Sequence, residues 1–81
     1  MVVCYVLINI IPGYEYEVYR KLTKVVEIVE LYPIFGEYDL IAKIISKDIY
    51  TIGNIVLEKI RTINGVINTT TLTGMDFIAG L

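Results

Sequence analysis

Phe35-Gly36-Glu37-Tyr38-Asp39-Leu40-Ile41-Ala42-Lys43-Ile44-Ile45 is the stretch on which the fold turns. Leu40 to Ser46 is apolar and β-branched, so it reads as a strand. Val25 to Tyr32 reads as another, and Pro33 marks its end or an edge position. Between them Gly36 supplies backbone conformations that other residues resist, which predicts a tight turn. Asp39 then stands fixed at the start of the second strand. It reads in two ways, as an acceptor of backbone N–H groups that caps the turn or as an acceptor facing a ligand amine. Glu37 reads as solvated turn charge. Tyr38 reads either as the roof of a small pocket or as an interface residue.

Working outward, Val2 to Ile11 is a third apolar run, with no alternation between its faces. A strand of this kind is covered on both sides. Pro12-Gly13 stops it. Tyr14 to Lys24 reads as a helix. Glu15 and Glu17 near its start and Arg20, Lys21 and Lys24 near its end suit the helix dipole. Val18 and Leu22 mark its inner face, with Tyr14 below them. Asp48 is a good helix N-cap. After it, Ile49, Ile52, Gly53, Val56, Leu57, Ile60 and Ile63 recur at helical spacing. Asn64-Gly65 ends that helix. Gly53 on its apolar side suggests close packing, since glycine there costs about 1 kcal/mol relative to alanine. Val66 to Met75 reads as the last strand, and Asp76 to Leu81 as a short tail.

The order is therefore βαββαβ, in two halves of similar length. That is the α+β, ferredoxin-like split motif: a four-stranded antiparallel sheet with both helices on one face. The helices cover one face, yet the strands are apolar on both. The open face is expected to meet a second copy of itself across a two-fold axis.

Composition supports an assembly. The chain has 81 residues, one domain's worth, and 56% are hydrophobic. Mean hydropathy is +0.65. A chain this small buries only roughly 60–65% of its unfolded surface, so apolar surface is left for a partner chain. The longest apolar run, Met1 to Ile11, is shorter than the about 20 residues that span a membrane. No basic residues precede it, so it is not a signal peptide, and a cytoplasmic protein is expected. The seven Lys and Arg are scattered and the net charge is −2. Direct nucleic-acid binding, which needs a basic patch, is not expected. The absence of Trp and Gln beside abundant Ile fits a thermophile or an AT-rich genome.

Chemistry-bearing residues are few. There is no His, and Cys4 is the single cysteine, in an apolar strand where a buried, inert thiol is expected. No metal-ligand cluster, phosphate-cradling loop or nucleophile–base spacing is present, so no cofactor, metal or catalytic residue is implied. Thr69, Thr71 and Thr73 share one face of the last strand. β-propensity explains them, and so does a row of hydroxyls for a small polar ligand. Gly74 in the same strand suggests a bulge or a close approach. Lys43, alone in an apolar strand, is expected either to snorkel to an edge or to pair with Glu27 or Glu30 across the interface.

These pieces, in this order, resemble the C-terminal effector domain of the Lrp/AsnC family of transcription regulators, also called the RAM domain. Ile10-Ile11-Pro12-Gly13 before an acidic helix start resembles the family's first strand and turn. Gly36-Glu37-Tyr38-Asp39-Leu40 resembles its glycine-x-aromatic-Asp signature. Asp48 opening a helix, Asn64-Gly65-Val66 and Thr69-x-Thr71 resemble the end of the domain, where Pro-Gly-Val often stands. The resemblance implies the face-to-face homodimer and its further assembly, commonly into octamers or similar rings, with small amino-acid effectors bound between dimers. It places effector-response positions at Asp39, Ile49, Leu72, Thr73 and Gly74, with Gly36 and Tyr38 shaping the loop. Asp39 or nearby backbone would meet the ligand amine. Backbone N–H groups and hydroxyls such as that of Thr71 would meet its carboxylate.

Family regulators also carry a helix-turn-helix, and here the sequence opens on the first strand. A stand-alone effector domain is therefore expected, acting on transcription by assembly with full-length relatives. Two alternatives remain open. One is a dimeric ferredoxin-like barrel enzyme, such as a small monooxygenase or isomerase, with its pocket inside one protomer. The other is a structural assembly subunit without a ligand.

Overall fold

Alternation along the first strand builds the sheet. In the computed structural model, which describes residues 1–74, β1 spans Val2–Ile10. Its even-numbered residues from Cys4 to Ile10 are buried, and its odd-numbered ones are half-buried or exposed. Then follow α1 (Glu15–Leu22), β2 (Ile28–Pro33), β3 (Leu40–Ser46), α2 (Ile49–Ile55) and β4 (Val66–Thr73). The strand order is β2-β3-β1-β4, and all three pairings are antiparallel. This is the expected ferredoxin-like βαββαβ arrangement. The expected continuation of the last strand to Met75 and the tail Asp76 to Leu81 lie outside the described residues.

One core lies between the helices and one face of the sheet. Cys4, Val6, Ile8 and Ile10 of β1 and Leu40, Ala42 and Ile44 of β3 meet Val18 and Leu22 of α1. Ile52 and Ile55 of α2 complete it, with Val56 and Ile60 beyond. Each fully buried Ile or Leu contributes roughly 1.5–3 kcal/mol. The other face carries Val3, Tyr5, Leu7, Ile41, Ile45 and Leu72, which no element covers among the described residues.

Several boundaries differ from the sequence expectation. Residues 25–27, expected to begin β2, form a turn instead, held by Val25 N–H to Leu22 O and Ile28 N–H to Val25 O. The chain needs those residues to pass from α1 to the sheet edge, where pairing begins at Ile28 with Ile44. Pro33 does end an edge strand. Asp48 caps α2 as expected, accepting the Thr51 N–H at 2.7 Å.

The second helix stops at Ile60 rather than Ile63, and its last turn is π-helical over Val56–Ile60, with Arg61 N–H reaching Val56 O. Its inner face is also rotated. Ile55 is buried, while Gly53 and Leu57 are exposed. A Cβ on Gly53 would meet nothing within 4 Å, so no close packing within the protomer explains that glycine. The apolar stripe is wider than one face, and docking onto the sheet selects its centre. Gly74, by contrast, does mark a close approach. A Cβ there would stand 3.0 Å from the Val3 carbonyl, to which Gly74 donates its N–H at 2.7 Å.

Candidate functional site

The β2–β3 turn is held by its own polar groups. Gly36 adopts φ of +117°, a conformation glycine favours. Asp39, half-buried, accepts the Ile10 N–H on Oδ2 at 2.7 Å. Its own N–H donates to Ile8 O at 2.9 Å, and its carbonyl accepts Ile34 N–H at 3.0 Å. The carboxylate thus stands in for a ladder bond where β1 outruns β3, which is the turn-capping role. The same turn also reaches the open face. Asn9 donates to Glu37 O, and the Tyr38 and Thr70 hydroxyls lie 3.1 Å apart.

On the helix side, a pocket of about 550 Å³ opens between α1 and this turn. Ile10 and Leu40 line it from the sheet, and Pro33, Ile34 and Phe35 from the turn. Tyr16 and Tyr19 line it from α1, and Glu15 and Asp39 bring carboxylates. Glu15 is also pinned, its Oε1 accepting Gly13 N–H at 2.9 Å. No Lys or Arg is among the lining residues. Sequence reasoning located Asp39 but not Glu15, Tyr16, Tyr19 or Phe35 as neighbours of it. The signal was the i, i+3 tyrosine pair after Glu15, which puts both rings on one side of the helix.

The other expected positions lie elsewhere. Ile49 opens α2, just beyond the Ser46 end of β3. Thr73 pairs with Cys4, and Gly74 continues to Val3, so both lie at that same end. Gly36, Tyr38 and Asp39 lie at the Leu40 end, the length of β3 away, about 20 Å at roughly 3.4 Å per residue. Thr69, Thr71 and Thr73 do share a face: they pair with Ile8, Val6 and Cys4 on the helix side. The Cys4 thiol, buried as expected, donates to Thr73 Oγ1 at 3.7 Å. Leu72 pairs with Tyr5 and faces the opposite way. One protomer therefore brings together Gly36, Tyr38 and Asp39 at one end of the sheet, and sets Ile49, Thr73 and Gly74 at the other end, where β1 separates the β3–α2 connection from β4.

Among the described residues, the open face carries a charged cluster. Lys43 pairs with Glu30 at 3.2 Å within the same chain. The Tyr32 hydroxyl donates to the same Glu30 carboxylate at 3.0 Å. The Tyr32 hydroxyl, then Lys43, hold Glu30 below the usual carboxylate range, while Glu30 raises both Tyr32 and Lys43. Glu27 instead pairs with Lys59 at 2.6 Å, which lowers its pKa. Among the described residues no helix is long and apolar enough to cross a membrane, and no cluster of acidic, Cys or His side chains could hold a metal.

Known proteins share this arrangement. Residues 3–78 match the family described as the Lrp/AsnC ligand binding domain. The HTH-type transcriptional regulator FL11 of Pyrococcus furiosus is 37% identical over 71 residues, 88% of this chain and 46% of its own. The crystal structure of FFRP-DM1 superposes with a TM-score of 0.86 at 33% identity, covering 93% of this chain and 100% of that one. E. coli AsnC superposes at 0.88 with 23% identity, covering 99% of this chain and 56% of its own. The chain thus spans less than half the length of FL11 and all of FFRP-DM1. With the family's match running through both halves of the βαββαβ fold, this chain belongs to the Lrp/AsnC ligand binding domain family.

Proposed function

We propose that the chain is a small-effector module that binds an amino acid and regulates transcription through ligand-dependent assembly. The observation that carries this reading is Asp39. Its carboxylate has one oxygen tied to Ile10 N–H while the residue still lines a pocket at the glycine turn. The separation of the two residue clusters supports a site completed by a second copy. Gly36, Tyr38 and Asp39 come from one protomer, and Ile49, Leu72, Thr73 and Gly74 from another. Thr71, midway along β4, supplies a hydroxyl on the helix side.

Dimers form through the apolar open face and associate further, as in the family's rings. A ligand bound between copies favours the assembled state by mass action, about 2.7 kcal/mol when its concentration is a hundredfold above Kd. Co-assembly with full-length relatives is the route by which this domain acts on transcription. The pocket does lie inside one protomer, where the enzyme alternative would put it. Its polar lining, two carboxylates and two phenols, contains no nucleophile–base hydrogen bond.

Mass in solution, measured with and without a panel of amino acids at millimolar concentration, tests the proposal together with a thermal-shift series. An effective amino acid raises both the mass and the melting temperature. Failure of every amino acid to change either one removes the sensor reading and leaves the structural-subunit one. Asp39→Ala weakens the binding of any effective amino acid and leaves the dimer intact. Unchanged affinity would refute the role given to Asp39.

A further inference from the structure

We propose that the pocket between α1 and the β2–β3 turn is a site for the ammonium end of small organic cations with an apolar body, and that it needs no carboxylate on the ligand. The inference shares Asp39 with the effector reading, but it stands on the lining of the pocket rather than on assembly.

The aromatic and charged groups point the same way. Tyr16, Tyr19 and Phe35 supply three rings, whose faces carry negative potential and attract cations. Tyr16 already serves a cation in this manner: the Arg20 guanidinium lies 5.7 Å from its ring centroid, and Arg20 is not among the lining residues. Asp39 and Glu15 add two carboxylates. Each spends one oxygen on a backbone N–H, of Ile10 and Gly13 respectively, and keeps the other for a second donor. Two carboxylates on one cavity without a lining cation are relieved by a bound positive charge.

The rest of the lining sets the body of the ligand. Ile10 and Leu40 are buried apolar side chains at the sheet side of the pocket. The volume, about 550 Å³, falls in the range of roughly 300–1,000 Å³ usual for small-molecule sites. A carboxylate entering here meets no Lys or Arg and is repelled by Glu15 and Asp39. The pocket therefore discriminates on the ammonium group. An amine and the corresponding amino acid share that group, and the corresponding acid lacks it.

Three probes of one carbon skeleton test this on the full chain by calorimetric or NMR titration: isopentylamine, leucine and 4-methylpentanoate. Isopentylamine should bind at least about tenfold tighter than 4-methylpentanoate, a difference of about 1.4 kcal/mol. Asp39→Asn and Glu15→Gln each keep an oxygen for the backbone N–H they cap, so both variants stay folded by circular dichroism. Each should weaken isopentylamine about three- to tenfold, and Tyr16→Leu about two- to fivefold. Isopentylamine binding supports this site whether or not the mass changes, because the assembly reading stands or falls on the amino-acid panel. Leucine binding without isopentylamine binding overturns this site and leaves the amino-acid sensor standing. Absence of all binding overturns it as well. So does isopentylamine affinity indifferent to Asp39→Asn and Glu15→Gln, as when a side chain from a neighbouring copy fills the pocket.

Discussion

Asp39 and Gly65 show how much a single position carries. The Asp39 carboxylate replaces a missing strand partner for Ile10 N–H. Asp39→Ala leaves that donor unpaired and should destabilise the fold by about 1–3 kcal/mol in urea unfolding, whereas Asp39→Asn, with an amide oxygen in the same place, should lose less than about 1 kcal/mol. Equal losses would mean that charge, not the hydrogen bond, holds the turn. Gly65 has φ of +106°, and a Cβ there would stand 2.8 Å from Tyr14 Cβ and 2.9 Å from Val18 Cγ2. Gly65→Ala therefore combines backbone strain with overpacking against α1, about 2–4 kcal/mol in all. Gly53→Ala is the opposite case. Its Cβ meets nothing, so the variant should gain about 0.5–1 kcal/mol from helix propensity alone. A loss at Gly53 would show that another copy packs there. Sequence identified Asp39 by its place after a glycine turn. It could not show that Gly65 presses on Tyr14, because that contact joins residues far apart in the chain.

Charges act at the level of the elements. Asp48 caps α2 and lies below its ordinary pKa of 3.8, chiefly through the Thr51 N–H. Glu27 joins β2's approach to the π-helical turn through Lys59, and Glu30 joins β2 to β3 through Lys43. Both lie below their ordinary 4.5. Groups with lowered folded pKa stabilise the protein above the unfolded value, and that stability fades as pH falls through the folded one. Lys43 is raised above 10.5, so its contribution is whole below that value and fades as pH rises through the folded pKa. The urea midpoint should thus hold a plateau between about pH 5 and pH 10 and fall on both sides. Glu30→Gln should shrink the acid and alkaline losses together, because the Glu30 carboxylate is the shared partner of the Tyr32 hydroxyl and of Lys43. An alkaline fall of undiminished size in that variant would remove the pair as its cause. Sequence placed Glu30 among the partners of Lys43. Only the pairing register, which sets Glu30 opposite Lys43, chose it within the chain.

For the whole molecule, the proposed assembly rests on the open sheet face. Leu7 and Ile41 are cross-strand partners at its centre, and both remain half-buried in the protomer. Ile41→Glu puts a charge where the second copy is expected to dock, and burial of an unpaired carboxylate is strongly unfavourable. Light scattering should show a monomer, with the circular dichroism of the fold retained. A variant that keeps the mass of the parent would place the dimer contact on another surface. The outer side of α2, with exposed Ile49, Tyr50 and Leu57, is then the next surface to alter.

Local pattern alone determined the order of elements, the turn at Gly36, the cap at Asp48 and the presence of two apolar sheet faces. These are properties of periodicity and backbone preference within a few residues, and tertiary contacts reinforced them. The tertiary structure decided the centre of the α2 stripe, the start of β2 and the gathering of Tyr16, Tyr19 and Phe35 around Asp39. It also set the Asp39 cluster and the Ile49–Gly74 cluster at opposite ends of β3. Each of these depends on how one element docks on another. A side chain's hydrophobicity says that it will be covered, but the register and packing of distant segments choose which neighbour covers it.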